Sequence, residues 1–193
     1  MNSHQNILKN IKRYVDLSSQ DEEAFVSIIK RSRVKKRQFI VQPNFVCTHQ
    51  TYIEKGTFRS YFLTDQGTEH TLQFAIEDWF ISDFTSYIYQ KPASLYVEAL
   101  QDSIIDQIEY NEVENLCNTH PVFEKFFRIV AQKSFAFAQQ RILSNLGKTA
   151  AERYREFNKM YPTIVERVPQ YALASYLGMS AEFLSKIKKE MQP

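Results

Sequence analysis

Gly178 stands between two short segments with apolar residues at helical spacing, and that placement restricts the end of the chain to a tight helical hairpin. The chain has only four glycines, so one at a helix end is informative: it supplies a left-handed backbone that a side chain resists. Before it, Pro169 can open a helix at a position where the missing N–H costs nothing, with Leu173, Ala174 and Leu177 on one face. After it, Ser180 is placed to cap a second helix that turns Phe183, Leu184 and Ile187 inward. Small Ala174 lets the two helices cross closely, as a helix-turn-helix requires. The outward face then carries Ala181, Glu182, Ser185, Lys186 and Lys189, with Ser180 at its start and Gln170 at the opening of the first helix. Those residues suit a DNA major groove, because Lys can read guanine, Glu can accept from cytosine, and Ser can serve base or phosphate. An ordinary helical hairpin is the alternative; the cap, the glycine, the small residue and the basic face together favour DNA.

The charge distribution agrees. Net charge is +2, but residues 1–120 hold 12 Lys and Arg against 16 Asp and Glu, a balance of −4, while 121–193 hold 12 against 6, or +6. Within 38–120 the count is 3 against 12, or −9. A basic C-terminal part suits a polyanion and the acidic middle repels one. The basic run Lys30, Arg31, Arg33, Lys35, Lys36 and Arg37 reads as the end of a helix, where cations favour the negative pole, with DNA contact as the alternative.

The hydrophobic period changes twice along the chain. Ile7, Leu8, Ile11 and Val15, then Ala24, Phe25, Ile28 and Ile29 after a helix-start cluster at 18–23, give helical stripes. From about Gln38 to Ile108 the period is two: Phe58, Ser60 and Phe62 oppose Arg59, Tyr61 and Leu63, and Leu72, Phe74 and Ile76 alternate with Thr71, Gln73 and Ala75. Asp65-Gln66-Gly67-Thr68 makes a hairpin turn, Gly56 a tight bend, and further strands fall at 94–100 and 103–109. Short strands at even spacing without intervening helices indicate a β jelly roll. Helical spacing returns at 111–117. The segment 122–146 then runs 25 residues without Pro or Gly and carries two apolar stripes, Val122/Phe126/Ile129/Ala136/Leu143 and Phe123/Phe127/Val130/Phe137. One stripe packs on the β domain; the second, Phe123, Phe127, Val130 and Phe137, is expected at a homodimer interface, the alternative being burial of both within one monomer. Gly147 ends this helix and Thr149 starts another that stops before Pro162. The reading is α+β in three parts: a sensor domain over 1–120, a long dimerisation helix over 121–147, and a helix-turn-helix over 148–193.

No enzyme chemistry stands out. His4, His49, His70 and His120 have no metal-ligand spacing with each other or with Cys47 and Cys117, which read as reduced structural thiols. There is no phosphate-cradling glycine loop and no nucleophile elbow, and Glu77-Asp78 reads as a surface carboxylate pair. No stretch has the apolar length of a membrane span, and the opening Met1-Asn2-Ser3-His4-Gln5-Asn6 lacks a signal-peptide layout, so a cytoplasmic location is expected.

Leu177-Gly178-Met179-Ser180-x-Glu182, with Leu184-Ser185-Lys186-Ile187-Lys188-Lys189, resembles the turn and recognition helix of the Crp/Fnr bacterial transcription regulators, in the variant common among Bacteroidetes. Glu54-Lys55-Gly56-Thr57-Phe58-Arg59-Ser60-Tyr61 resembles the glycine-centred strand pair of a cyclic-nucleotide-binding fold, and the resemblance spans essentially the whole chain. It implies a cyclic-nucleotide-binding-like effector domain, a homodimer on double-stranded DNA, contact with RNA polymerase and no membrane. It also places the effector pocket at Phe80, Ile81, Ser82, Asp83 and Phe84, with Ala93, Ser94 and Tyr96. Nucleotide-binding members have Gly-Glu and then Arg-Ser or Arg-Thr at these places, the Glu for the ribose hydroxyl and the Arg for the cyclic phosphate. Here Ser82-Asp83 and Ala93-Ser94 stand instead, and Lys91, a point charge on a flexible stem, replaces a guanidinium poorly. Cyclic AMP is therefore not expected as effector; an apolar or aromatic small molecule is. The clustered cysteines of an iron–sulfur sensor are missing, and haem stays open with His70 alone in its favour. The family's β-hairpin wing would follow the hairpin, where only Met191-Gln192-Pro193 stand, which implies weaker backbone affinity. The rival reading is a ligand-binding or protein-interaction module that has lost DNA binding.

Overall fold

The computed structural model describes residues 4–190; Met1–Ser3 and Met191–Pro193, which carry part of the reading of the N-terminus and all of the missing-wing expectation, lie outside the described residues. Two helices open the chain, α1 (Gln5–Lys12) and α2 (Ser19–Ser27). Ser18 and Asp21 close a capping box on α2: the Ser18 hydroxyl accepts from the Asp21 N–H, and the Asp21 carboxylate accepts from the Ser18 N–H. Eight strands follow: β1 (Lys30–Val34), β2 (Phe39–Val41), β3 (His49–Lys55), β4 (Phe58–Leu63), β5 (Glu69–Ala75), β6 (Phe80–Ile81), β7 (Tyr96–Ala99) and β8 (Ser103–Glu109). They form two four-stranded antiparallel sheets, ordered β1-β8-β3-β6 and β2-β7-β4-β5. This is the jelly-roll arrangement, laid out as two sheets rather than a closed barrel.

Three details differ from the sequence reading. The basic run at 30–37 is not a helix end: Lys30–Val34 is strand β1, paired with β8, and Arg31 grips the fully buried Asp106 with two hydrogen bonds of 2.7 Å. The sheet is not free of helices, since α3 (Phe84–Tyr89) lies between β6 and β7. Glu77 and Asp78 are anchors rather than idle surface carboxylates. Asp78 accepts from the Tyr52 hydroxyl (2.6 Å) and from Arg13 of α1 (2.8 Å), while Glu77 accepts from the Gly56 N–H (2.8 Å). Gly56 itself has φ +131°, and a Cβ there would sit 2.0 Å from the Ser103 hydroxyl, so the close crossing of strands requires glycine.

The C-terminal half is helical: α4 (Tyr110–Thr119), α5 (Val122–Gly147), α6 (Ala150–Met160), α7 (Pro162–Arg167), α8 (Gln170–Tyr176) and α9 (Ala181–Glu190). Pro162 opens α7, a short helix the sequence reading did not anticipate. Three cores result. Ile53, Phe58, Val97 and Ile105 fill the space between the sheets. Ile7, Phe25, Tyr52, Ile108, Phe123 and Phe126 join the outer face of one sheet to the helices. The third surrounds α6 to α9 and includes Phe74 and Leu100 of the β region, so the terminal helices share a core with the sheet beside them. No helix among the described residues is long and apolar enough to cross a membrane.

Candidate DNA interface and sensor segment

The terminal hairpin forms by local signals. Gly178 has φ +66°, its N–H donates to the Ser175 carbonyl (3.2 Å), and the Met179 N–H reaches the Ala174 carbonyl (3.0 Å), closing α8. Ser180 Oγ accepts from the Phe183 N–H at 3.1 Å, capping α9. Leu173, Ala174, Leu177, Leu184 and Ile187 are buried between the helices.

On the outer surface of α9, Glu182, Lys186 and Lys189 are exposed and Ser185 is half-buried. The Glu182 N–H and the Ser180 hydroxyl hold the Glu182 carboxyl below its ordinary range, so it stands ionised as an acceptor. Lys186 makes only a loose contact of 4.0 Å with Glu190. Phe183, Ala181 and Gln170 depart from the sequence reading. Phe183 does not turn inward; it is 47% exposed. Ala181 is half-buried against the hairpin core, and its carbonyl accepts from Gln170 Nε2 at 2.9 Å, so Gln170 braces the two helices. Lys188 leans over the Tyr154 ring, 5.9 Å from its centre, and faces its own domain.

The hairpin meets the sensor region through α8, and a set of residues that carried no local sequence signal holds it there. β5 is an outer strand of its sheet, and α8 covers it: Ser175 Oγ accepts from the Thr71 N–H and donates to the Glu69 carbonyl, both at 2.8 Å. Arg141, on α5, donates to the carbonyls of Thr71 (2.8 Å), Leu72 and Tyr176 (3.2 Å) and stacks 4.3 Å over the Tyr176 ring. One side chain thus joins long helix, sheet and hairpin, with the carbonyl-rich end of α8 among its acceptors. Arg167 of α7 pairs with Glu77 (2.6 and 2.8 Å) and the Gly56 carbonyl (2.8 Å). Arg59 lies buried between Glu98 and Glu69, with its guanidinium 4.0 Å from the Tyr61 ring and 5.1 Å from Tyr171 of α8. The one clue in the sequence was a charged residue amid the apolar strand at 58–63.

The expected effector residues do not converge. Phe80 packs outward against Tyr52 and Phe126, and Ile81 belongs to the core between the sheets. Phe84 is 53% exposed, and Tyr96 stacks on Tyr61 with its ring also near Phe39. Ala93 is buried and Ser94 exposed; the Ser82 hydroxyl is turned to the carbonyls of His49 and Ile81. What unites the segment is Asp83, buried at 1% exposure. One of its oxygens caps α3 by accepting from the Ser86 N–H (3.0 Å); the other accepts from the N–H groups of Ser94 (2.9 Å) and Leu95 (3.1 Å). These backbone donors are what a bound phosphate would need, and the chain's own carboxylate already takes them. No Lys, Arg or His pairs with Asp83 among the described residues.

The long helix also differs from expectation in its phase. Phe123 is fully buried, stacked on Phe25 of α2 at 5.2 Å, and so faces its own subunit. Phe127 and Val130 are half-buried against the same cluster, and Phe137 meets Trp79 and Tyr161 edge-on. The apolar face left open lies further along: Phe135, Ile142 and Leu146 are 72%, 59% and 81% exposed, with exposed Ala131 one turn before Phe135 and exposed Ala138 between Phe135 and Ile142.

A two-sheet jelly roll leading through a long helix into a docked helix-turn-helix defines the fold of the Crp/Fnr transcription regulators, and solved structures bear this out. The chain is similar to CLP of Xanthomonas campestris, described as a c-di-GMP-responsive global regulator (TM-score 0.74, 16% identity, 91% of this chain and 92% of that one). It is similar also to FixK2 of Bradyrhizobium japonicum (0.71, 16%, 85% and 84%) and to a regulator assigned to the crp/fnr family from Eubacterium rectale (0.71, 18%, 92% and 84%). Among curated proteins it resembles electron transport regulator A of Shewanella oneidensis, 22% identical over 91% of this chain and 74% of that protein. No protein-family model matches.

Proposed function

We propose that this protein is a homodimeric transcription regulator of the Crp/Fnr type that reads double-stranded DNA with α9 and takes its signal through the jelly-roll domain. The observation that carries the reading is the asymmetry of the hairpin: α8 is pinned to the sheet, while Glu182, Lys186 and Lys189 of α9 stay open on the opposite surface. Glu182 and Lys186 are one turn apart, so both reach successive base edges, and Lys189 near the helix end meets phosphate. The dimer interface moves from the four residues expected to the open stripe of Phe135, Ile142 and Leu146, whose spacing of seven and four suits a coiled-coil seam. Two subunits paired there present two recognition helices, and half-sites about 34 Å apart fit them. Cyclic AMP is not the effector in this reading, because Asp83 occupies the backbone donors that its phosphate requires. Contact with RNA polymerase and a cytoplasmic site of action belong to the same proposal, as does the absence of an enzymatic role.

The rival reading, an interaction module without DNA binding, draws support from one feature: Phe183 and Tyr171 expose aromatic rings on the hairpin, 47% and 50%. Selection from a random duplex pool separates the two. The regulator reading expects enrichment of a two-fold symmetric site, and expects Phe135→Glu/Ile142→Glu to yield a monomer with at least about a hundredfold weaker binding to it. A pool that returns no enriched sequence hands the hairpin to the rival.

A further inference from the structure

At one end of the jelly roll, beside the Asp83 segment, the two sheets enclose a cavity of about 230 Å³ bounded by β2, the 42–48 segment, the start of β3 and one residue of β8. The Asp83 segment touches its wall where the Cys47 N–H donates to Ser86 Oγ (2.8 Å) and Ser82 Oγ donates to the His49 carbonyl (3.0 Å). The strand register makes its floor unusual. Thr51 is paired with Gln107, and along these strands Ile53 and Ile105 point into the core between the sheets. By the two-residue alternation, Thr51 and Gln107 point inward as well, with His49 next in line. Three polar side chains thus stand where a jelly roll ordinarily closes with apolar ones, and burying them costs free energy unless they are hydrogen-bonded. Their internal bonds are few: Gln107 donates one amide hydrogen to Thr51 Oγ1 across a long 3.4 Å, and His49 Nδ1 meets Thr48 Oγ1 at 2.8 Å. The Gln107 carbonyl and His49 Nε2 form no hydrogen bond among the described residues. Opposite this floor the wall is apolar, with Phe39 and Val41 from β2, and Phe45 stands 68% exposed at the rim.

We propose that this cavity is a binding site for a small uncharged aromatic molecule carrying an amide or comparable donor–acceptor group. No Lys, Arg, Asp or Glu lines it, so a charged ligand would be desolvated without a counter-charge. Burial pushes the His49 imidazole below its ordinary pKa, which keeps the floor neutral as well. The volume is below the ~300–1,000 Å³ of pockets for drug-sized ligands, which selects a single ring and excludes a nucleotide. An amide edge complements Gln107, and the ring lies against Phe39 and Phe45. The site has a path to the helices: the Thr48 carbonyl in its wall accepts from the Tyr110 N–H at 2.8 Å, where α4 begins. The binding claim stands whether or not the hairpin reads DNA.

Benzamide and benzoate, alike in shape and different in charge, test it on the full chain by titration of amide chemical shifts. Benzamide is expected to give saturable shifts at Thr51 and Gln107 with Kd on the order of 1 mM, and benzoate a response at least about tenfold weaker. Gln107→Leu should weaken benzamide by about tenfold, the loss of one buried hydrogen bond, with the fold checked by its melting curve. Thr51→Val, which keeps shape and removes a hydroxyl, serves the same purpose if Gln107→Leu does not fold. No saturable response at roughly ten times that concentration, equal binding of the two probes, or binding indifferent to both substitutions overturns the proposal.

Discussion

Two segments of this molecule offer groups that attract negative charge, and they treat it in opposite ways. The turn from Ser82 to Tyr96 offers backbone N–H groups but answers them from within, with the Asp83 carboxylate satisfying Ser86, Ser94 and Leu95. The helix α9 offers Lys186 and Lys189 and leaves them to solvent. A buried anion held by three donors is a structural part, costly to remove; an exposed cation is cheap to remove and free to bind. In the proposed reading, the difference assigns an external phosphate to α9 and not to the turn from Ser82 to Tyr96. The −9 balance over 38–120 and the +6 over 121–193 reinforce the contrast at longer range.

The sharpest way to break the contrast is at Asp83. Asp83→Ala leaves the buried Ser86 N–H and the part-buried N–H groups of Ser94 and Leu95 without an acceptor. The cost is about 1–3 kcal/mol for a buried donor and less for those that water reaches, so a loss of roughly 2 kcal/mol or more in denaturant unfolding is expected. A loss under about 1 kcal/mol would mean that the carboxylate is not the keystone of the turn. In the intact protein, calorimetry with cyclic AMP should show no micromolar binding, and heat of binding at that level would contradict the self-occupied turn directly.

At the other segment the expected effects are smaller and fall on binding rather than stability. Lys186→Ala should cost about 1–3 kcal/mol at the selected duplex and relax one position per half-site. Lys189→Ala should weaken all sequences alike and reduce the salt slope by about one per subunit. If Lys186→Ala instead lowers affinity for selected and scrambled duplexes equally, its base-reading role is wrong.

The smallest effect belongs to the tie between the regions. Burial of the Glu77 carboxyl works against its ionised form, but the hydrogen bonds from Arg167 and the Gly56 N–H outweigh it and hold the carboxyl at about 2, against an ordinary 4.5. A depressed carboxylate contributes stability that is present above its unfolded pKa and is lost as pH falls through the folded one. Wild type should therefore lose more melting temperature than Arg167→Ala between about pH 4.5 and 2, and parallel curves would show that the pair contributes nothing.

How much could be read beforehand follows from how local each cause is. The hairpin was legible because Gly178, Ser180, Leu173 and Ala174 act on neighbours within a few residues, and the strand pairs flanking Gly67 were legible for the same reason. The phase of α5 was not: over 25 residues without Pro or Gly, several stripes satisfy helical spacing. Only packing on α2, Trp79 and Tyr161 selects which of them is left open. Strand β1 was hidden because Arg31 and its neighbours look like a solvated helix end until Asp106, 75 residues away, is beside it. The sensor turn was legible in part. The family resemblance places Ala93 where nucleotide-binding members have an arginine, but nothing in the sequence tells that Asp83 folds back onto Ser94 and Leu95. Phe183 was misplaced because the helix sits at the rim of its core, where the inward stripe is narrower than the apolar pattern suggests.

The central claim is that the open face of α9 binds DNA by sequence. The direct test is a titration of the unmodified full chain against the selected duplex and a scrambled one at two salt concentrations. The account predicts affinity for the selected duplex at least about 10³-fold above that for the scrambled one, with both falling as salt rises. Equal affinity for the two duplexes, or binding to neither at low salt, would contradict it.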